Sequence, residues 1–178
     1  MTKGKKFGIG ILIILVGIQF IKSDIPTGIE QTEKNISSVI EIPETTQQLL
    51  KKSCFDCHSN TTQNQWYMNI QPIGWWIAHH INEGKEELNF SEFATYSLKK
   101  QKHKMEELIE VVSEDEMPLS SYTFMHPKAK LNTQQREEII NWAKEKKASI
   151  NSNKLAPSFY LYTFLLHQPK HLCLKVLF

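Results

Sequence analysis

Five residues, Cys54-Phe55-Asp56-Cys57-His58, constrain this chain more than any other feature in it. They form a C-x-x-C-H motif, the attachment signature for c-type haem. Cysteines three apart on one helical turn face the same way, so both sulfurs can add to the two vinyl groups on one edge of a porphyrin. His58 follows directly, and its imidazole can then reach the iron from the proximal side. A zinc site would need further ligands at similar spacing, and no second C-x-x-C is present. A thioredoxin-like dithiol would want a strand before the motif and a βαβ setting, which the sequence does not show.

The remaining composition fits that chemistry. Three cysteines are too few for a disulfide framework, and Cys173 stands alone far from the pair. A net charge of +2 with 22% charged residues supplies no strong field, so nucleic acid is not an expected partner. At 178 residues there is room for one ordinary domain plus appendages.

The N-terminus carries Lys3, Lys5 and Lys6, an uncharged run from Phe7 to Ile21, and then Lys22. The flanking lysines can lengthen this run by snorkelling, and no small-x-small cleavage site follows it. The expectation is a single-pass transmembrane helix over 1–22, with the N-terminus cytoplasmic and the rest on the periplasmic, extracytoplasmic side. Residues 23–42 read as a linker, 43–149 as an all-α domain, and 150–178 as a tail to which no role is assigned.

Helical spacing recurs through the domain. Pro43 fits a helix start ahead of Leu50, Cys54 and Cys57. Pro72 opens a second segment, with Ile73, Trp76, Ile77, His80 and Ile81 as its apolar stripe, ending near Gly84. A third runs from about Ser91 through Met105, Leu108, Ile109 and Val112. A fourth follows Asn132, a candidate N-cap with Gln135 three residues on.

An electron-transfer haem iron has a sixth ligand, and Met117 is the candidate. Pro118 holds Met117 in an extended conformation, so its thioether is presented from a loop. The alternative is a core methionine. Met105 belongs to the third helical stripe and reads as core, while Met68 and Met125 are substitutes. His80 or His126 would give a bis-histidine iron, and His103, among lysines, reads as solvated. Trp66, Trp75, Trp76 and Tyr122 read either as walls of the haem crevice or as ordinary core aromatics.

Beyond the motif, the chain resembles the haem-binding domain family of exported bacterial c-type cytochromes. The residues that carry the likeness are Cys54 to Asn60, Trp66-Tyr67, the stretch from Ile70 to Trp76, His80 with Gly84, Leu88 to Ser91, Met117-Pro118, Tyr122, His126-Pro127 and Trp142. The resemblance implies a cytochrome c-like helical fold with His58 proximal and Met117 distal. Together these readings give a mono-haem cytochrome with one covalent haem c, carrying single electrons between redox partners such as membrane oxidoreductases. The rival readings are a haem peroxidase-like enzyme, which needs an open sixth position, and a haem-based redox or gas sensor.

Overall fold

The computed structural model describes residues 2–25, 28 and 31–152. Seven helices follow one another: α1 (Lys3–Ile18), α2 (Glu44–Ser53), α3 (Phe55–His58), α4 (Ile73–Glu87), α5 (Leu98–Ser113), α6 (Ser120–Met125) and α7 (Thr133–Ser152). Short 3₁₀ turns lie at Ile36–Ser38, Trp66–Asn69, Phe93–Thr95 and Pro127–Ala129. No strand occurs among the described residues, so the all-α expectation holds.

Helices α5 and α7 form the most extensive helix pair. Met105, Leu108 and Val112 of α5 pack with Ile139, Trp142 and Ala143 of α7, each recurring three or four residues apart on its own helix. Leu50, Phe55, Phe90 and Phe93 complete this core. Each such side chain, fully buried, contributes about 1.5–3 kcal/mol. Asn132 and Gln135 cap α7 reciprocally, Asn132 N–H donating to Gln135 Oε1 at 3.0 Å and Gln135 N–H to Asn132 Oδ1 at 2.9 Å. This is the cap read from sequence.

Helix boundaries differ from the sequence reading where tertiary contacts decide them. Gly84 does not end α4, which continues to Glu87. A Cβ at Gly84 would lie 2.9 Å from the Cys57 carbonyl oxygen, so this glycine serves the close approach of α4 to the haem-motif helix. The third helix begins at Leu98 and not near Ser91, because Ser97 caps it by accepting from Lys100 N–H. Helix α6, with no long apolar stripe to announce it, follows the Met117 loop.

The stretch read as a linker, 23–42, enters the core. Ile36 and Ile40 are buried. Ile36 N–H donates to Phe90 O at 2.8 Å, and Ala94 N–H to Lys34 O at 2.9 Å. Trp142 Nε1–H reaches back to Glu41 O at 3.2 Å.

The expected transmembrane helix is a correction. Helix α1 has 16 residues, all on its exposed exterior apart from half-buried Gly10 and Ile18. At about 1.5 Å per residue it falls short of the roughly 30 Å hydrocarbon core. Among the described residues no helix is long and apolar enough to cross a membrane. The sequence run owed its length to Gln19, Phe20 and Ile21, which leave the helix in a turn. Residues 153–178, the tail with Cys173, His167 and His171, lie outside the described residues.

Candidate haem site

Helix α2 carries the chain into the motif, and Cys54 is its C-cap before the single turn of α3 begins. Cys57 N–H and His58 N–H both donate to Cys54 O, at 3.2 and 2.9 Å, so the two cysteines and the histidine share one tight turn. The loop after α4 then fixes that turn from outside. Phe90 N–H donates to His58 O at 2.8 Å, and Ser91 Oγ accepts from Asn60 N–H at 3.0 Å.

The orientation of His58 follows from this loop. Its Nδ1 lies 3.0 Å from Leu88 O. A carbonyl can only accept, so Nδ1 carries the proton and Nε2 keeps the lone pair that an iron ligand requires. Burial pushes the His58 imidazolium below its ordinary range, partly offset by the backbone acceptors of Leu88 and Gly84, and favours the neutral ring. The two thiols are not bonded to each other. Burial, helped by Cys57, pushes Cys54 up to about 12, and burial with Asp56 pushes Cys57 up to about 11.

These groups open onto a cleft with two adjoining main lobes of about 280 and about 300 Å³, the lower end of the roughly 300–1,000 Å³ typical of small-molecule sites. Cys54, His58, Met117 and Pro118 line both lobes, and Cys57, His80 and Tyr122 join in the second. Met117 is therefore brought to the same cleft as His58 from 59 positions further along the chain. A smaller lobe of about 70 Å³ continues between α4 and α6, past Trp76, Tyr122 and Met125.

The Met117 loop is anchored by the end of α5. Asp115 adopts a left-handed conformation with φ 62°, and Glu116 N–H and Met117 N–H donate to Val111 O at 3.0 and 3.1 Å. That is the helix-ending geometry usually supplied by glycine, tolerated by Asp. Arg136 of α7 clasps the turn, pairing with the Asp115 carboxylate and reaching Leu131 O at 3.4 Å. Asp115→Val is expected to cost about 1–3 kcal/mol more in denaturant unfolding than Asp115→Asn, since a β-branched residue cannot adopt this φ without strain.

The other sequence candidates sort themselves. Met105 is core, at 1% exposure, and Met68 is buried, with its sulfur accepting from Gln65 N–H. His126 has both nitrogens engaged, Nδ1 donating to Tyr122 O at 3.2 Å and Nε2 accepting from Tyr67 OH at 2.9 Å, so no lone pair is left for iron. His80 donates from Nδ1 to Trp76 O at 2.9 Å, which leaves its Nε2 lone pair in the second lobe of the cleft. His103 is exposed and paired with Glu107. Of the four aromatics, Trp76 and Tyr122 line the cleft, Trp66 is exposed beside Tyr67, and Trp75 donates to Ile21 O instead.

Sequence reasoning missed several contributors. Asp56, an unspecified position of the motif, accepts from Tyr122 OH at 2.8 Å and so ties α6 to the haem-motif turn. Burial and the Asp56 charge push the Tyr122 phenol well up. Lys104 lines the first lobe between Glu107 at 2.7 Å and Glu87 at 3.1 Å. Burial alone would lower it, but the two carboxylates more than compensate and hold it protonated.

The donor set fits a haem: two neutral thiols and an oriented neutral imidazole on one wall, and a thioether on the loop lining the same cleft. Cys54 and Cys57 would hold the porphyrin covalently, with His58 and Met117 toward the iron; the haem itself supplies one-electron Fe(III)/Fe(II) exchange. Among the described residues no group of three or more His, Cys, Asp or Glu could hold a bare metal ion. The sequence matches the haem-binding domain family over residues 13–145, most of its length, and the chain belongs to that family. No curated protein and no solved structure matches it.

Gly84→Ala tests the closeness of α4 to this turn. The added Cβ would meet Cys57 O at 2.9 Å and Cys57 Cβ at 3.3 Å, so a loss of about 1–3 kcal/mol is expected together with a lower haem content. Denaturant unfolding and a pyridine haemochrome assay read the two effects.

Proposed function

We propose that the protein is a mono-haem c-type cytochrome acting as a one-electron carrier on the extracytoplasmic side of the cytoplasmic membrane. One observation carries the reading: Cys54, Cys57, His58 and Met117 line a single cleft, with His58 held by Leu88 O in the tautomer that leaves Nε2 for the iron. With His58 and Met117 as its two ligands, a bound haem would favour reversible electron exchange over substrate activation, because neither iron face would be left open. The apolar, exposed helix α1 associates with the membrane and keeps the carrier near its redox partners, membrane oxidoreductases.

The protein matured with a c-type haem ligation system is expected to show a reduced α-band that survives acid-acetone extraction. It should also show the weak far-red charge-transfer band of sulfur ligation when oxidised, and little CO binding when reduced. Rapid CO binding by the untreated protein would overturn the carrier reading in favour of an open, peroxidase-like or sensing site.

A further inference from the structure

Helix α1 is joined to the haem domain by side-chain hydrogen bonds and not by a free tether. Gln19 Nε2 donates to Gln71 O at 3.0 Å while Gln71 N–H donates to Gln19 Oε1 at 3.0 Å. Trp75 Nε1–H donates to Ile21 O at 3.1 Å, and Ser23 OH to Met68 O at 3.2 Å. Gly74 completes the joint, since a Cβ there would lie 2.1 Å from Met68 O and 2.9 Å from Ser23 Oγ. The end of α1 is thus seated where the Trp66–Asn69 turn meets the start of α4.

Around this joint the apolar side chains face outward. Phe20, Ile21, Trp66, Ile70, Ile73 and Trp76 are between 40% and 84% exposed, and each stands within two positions of a residue that makes one of these contacts. The only charged residues beside the joint among the described residues are Lys22 and Asp24, both exposed, on either side of Ser23. No Asp, Glu, Lys or Arg occurs from Phe7 to Ile21, and none from Ser59 to Asn82. Two uncharged stretches, far apart in sequence, therefore meet at one place. A surface with so few charges to desolvate enters the headgroup and acyl boundary at low cost, Lys22 keeping its ammonium at headgroup level, and tryptophans are favoured there. It is also continuous with the exposed apolar flank of α1, which a docking protein would have to cover as well.

We propose that these six side chains and α1 form one lipid-facing surface, so that the haem domain lies on the bilayer at a set orientation instead of hanging from a flexible stalk. This rests on the membrane association of α1 proposed above. Trp76 lines the small lobe of the cleft as well, so the arrangement holds that edge of the haem site beside the membrane.

The test uses the full, haem-loaded, reduced protein with Cys173→Ser, in vesicles of phosphatidylcholine and phosphatidylglycerol. Nitroxides are attached singly through Leu12→Cys, Ile70→Cys, Ile73→Cys and Lys99→Cys, and an unchanged haem spectrum certifies each fold. Position 99 lies on an exposed, charged part of α5. The expected result is a several-fold higher ratio of oxygen to water-soluble nickel-chelate collisions at 12, 70 and 73 than at 99. If 12 is lipid-like but 70 and 73 match 99, the lipid-facing surface is overturned while α1 keeps its role, and the apolar face is left to a protein partner. If 12 also matches 99, the membrane association of α1 falls, and this inference with it.

Discussion

With Cys54 and Cys57 both replaced by alanine, the polypeptide produced with a c-type haem ligation system is expected to carry no covalent haem: the mass of the chain equals that of its residues alone, and haem staining after denaturing electrophoresis disappears. The reason is chemical. Thioether bonds to the porphyrin edge have no other donors in the turn, and Cys173 is far away in sequence. The substitutions themselves are mild for packing, because both cysteines are only half-buried and the turn is held by backbone bonds to Cys54 O and by Phe90. Loss of covalent haem is thus expected with the helices intact, which far-ultraviolet circular dichroism checks. Wild-type protein that lacks added porphyrin mass after maturation would remove the basis of the whole functional reading.

Met117→His is expected to lower the reduction potential on the order of 0.1–0.3 V, a fraction of the roughly 0.8 V over which axial ligands move haem potentials. Thioether sulfur favours the ferrous state relative to a second imidazole, so exchanging it stabilises ferric haem. The far-red sulfur band should vanish in the same variant, and Met117→Ala should open the iron to CO. The second lobe of the cleft offers a competitor, His80, whose Nδ1 bond to Trp76 O leaves Nε2 as a ligand nitrogen. If Met117→His and Met117→Ala change neither potential nor spectrum while His80→Ala changes both, the distal ligand is His80. The side chain of Met117 sits in a loop clasped by Arg136 and by the α5 terminus, so its replacement has little core packing to disturb.

Local chemistry carried much of the site. The cysteine and histidine spacing is a property of one helical turn and needs no distant partner, so it was legible directly. The same holds for the Asn132–Gln135 cap and for the periodic stripe of α5, whereas the stripe read for α4 is not its core face: Ile73 and Trp76 are exposed, and Gly74 and Ala78 are buried with Ile81 instead. Met117 was legible because proline after it excludes helix.

What the sequence by itself determined, then, is an all-α chain with a C-x-x-C-H turn, because both follow from contacts within a few residues. Tertiary structure decided the rest. Only folding brings Met117 to the cleft of His58, sets the imidazole tautomer through Leu88 O, ties up His126 between two tyrosines, and buries Ile36 and Ile40 of an apparent linker. It also made Gly84 a point of close approach instead of a stop, and seated the end of α1 on Gln71 and Trp75. Each of these depends on a partner tens of residues away, and local propensity holds no information about which partner a folded backbone will supply.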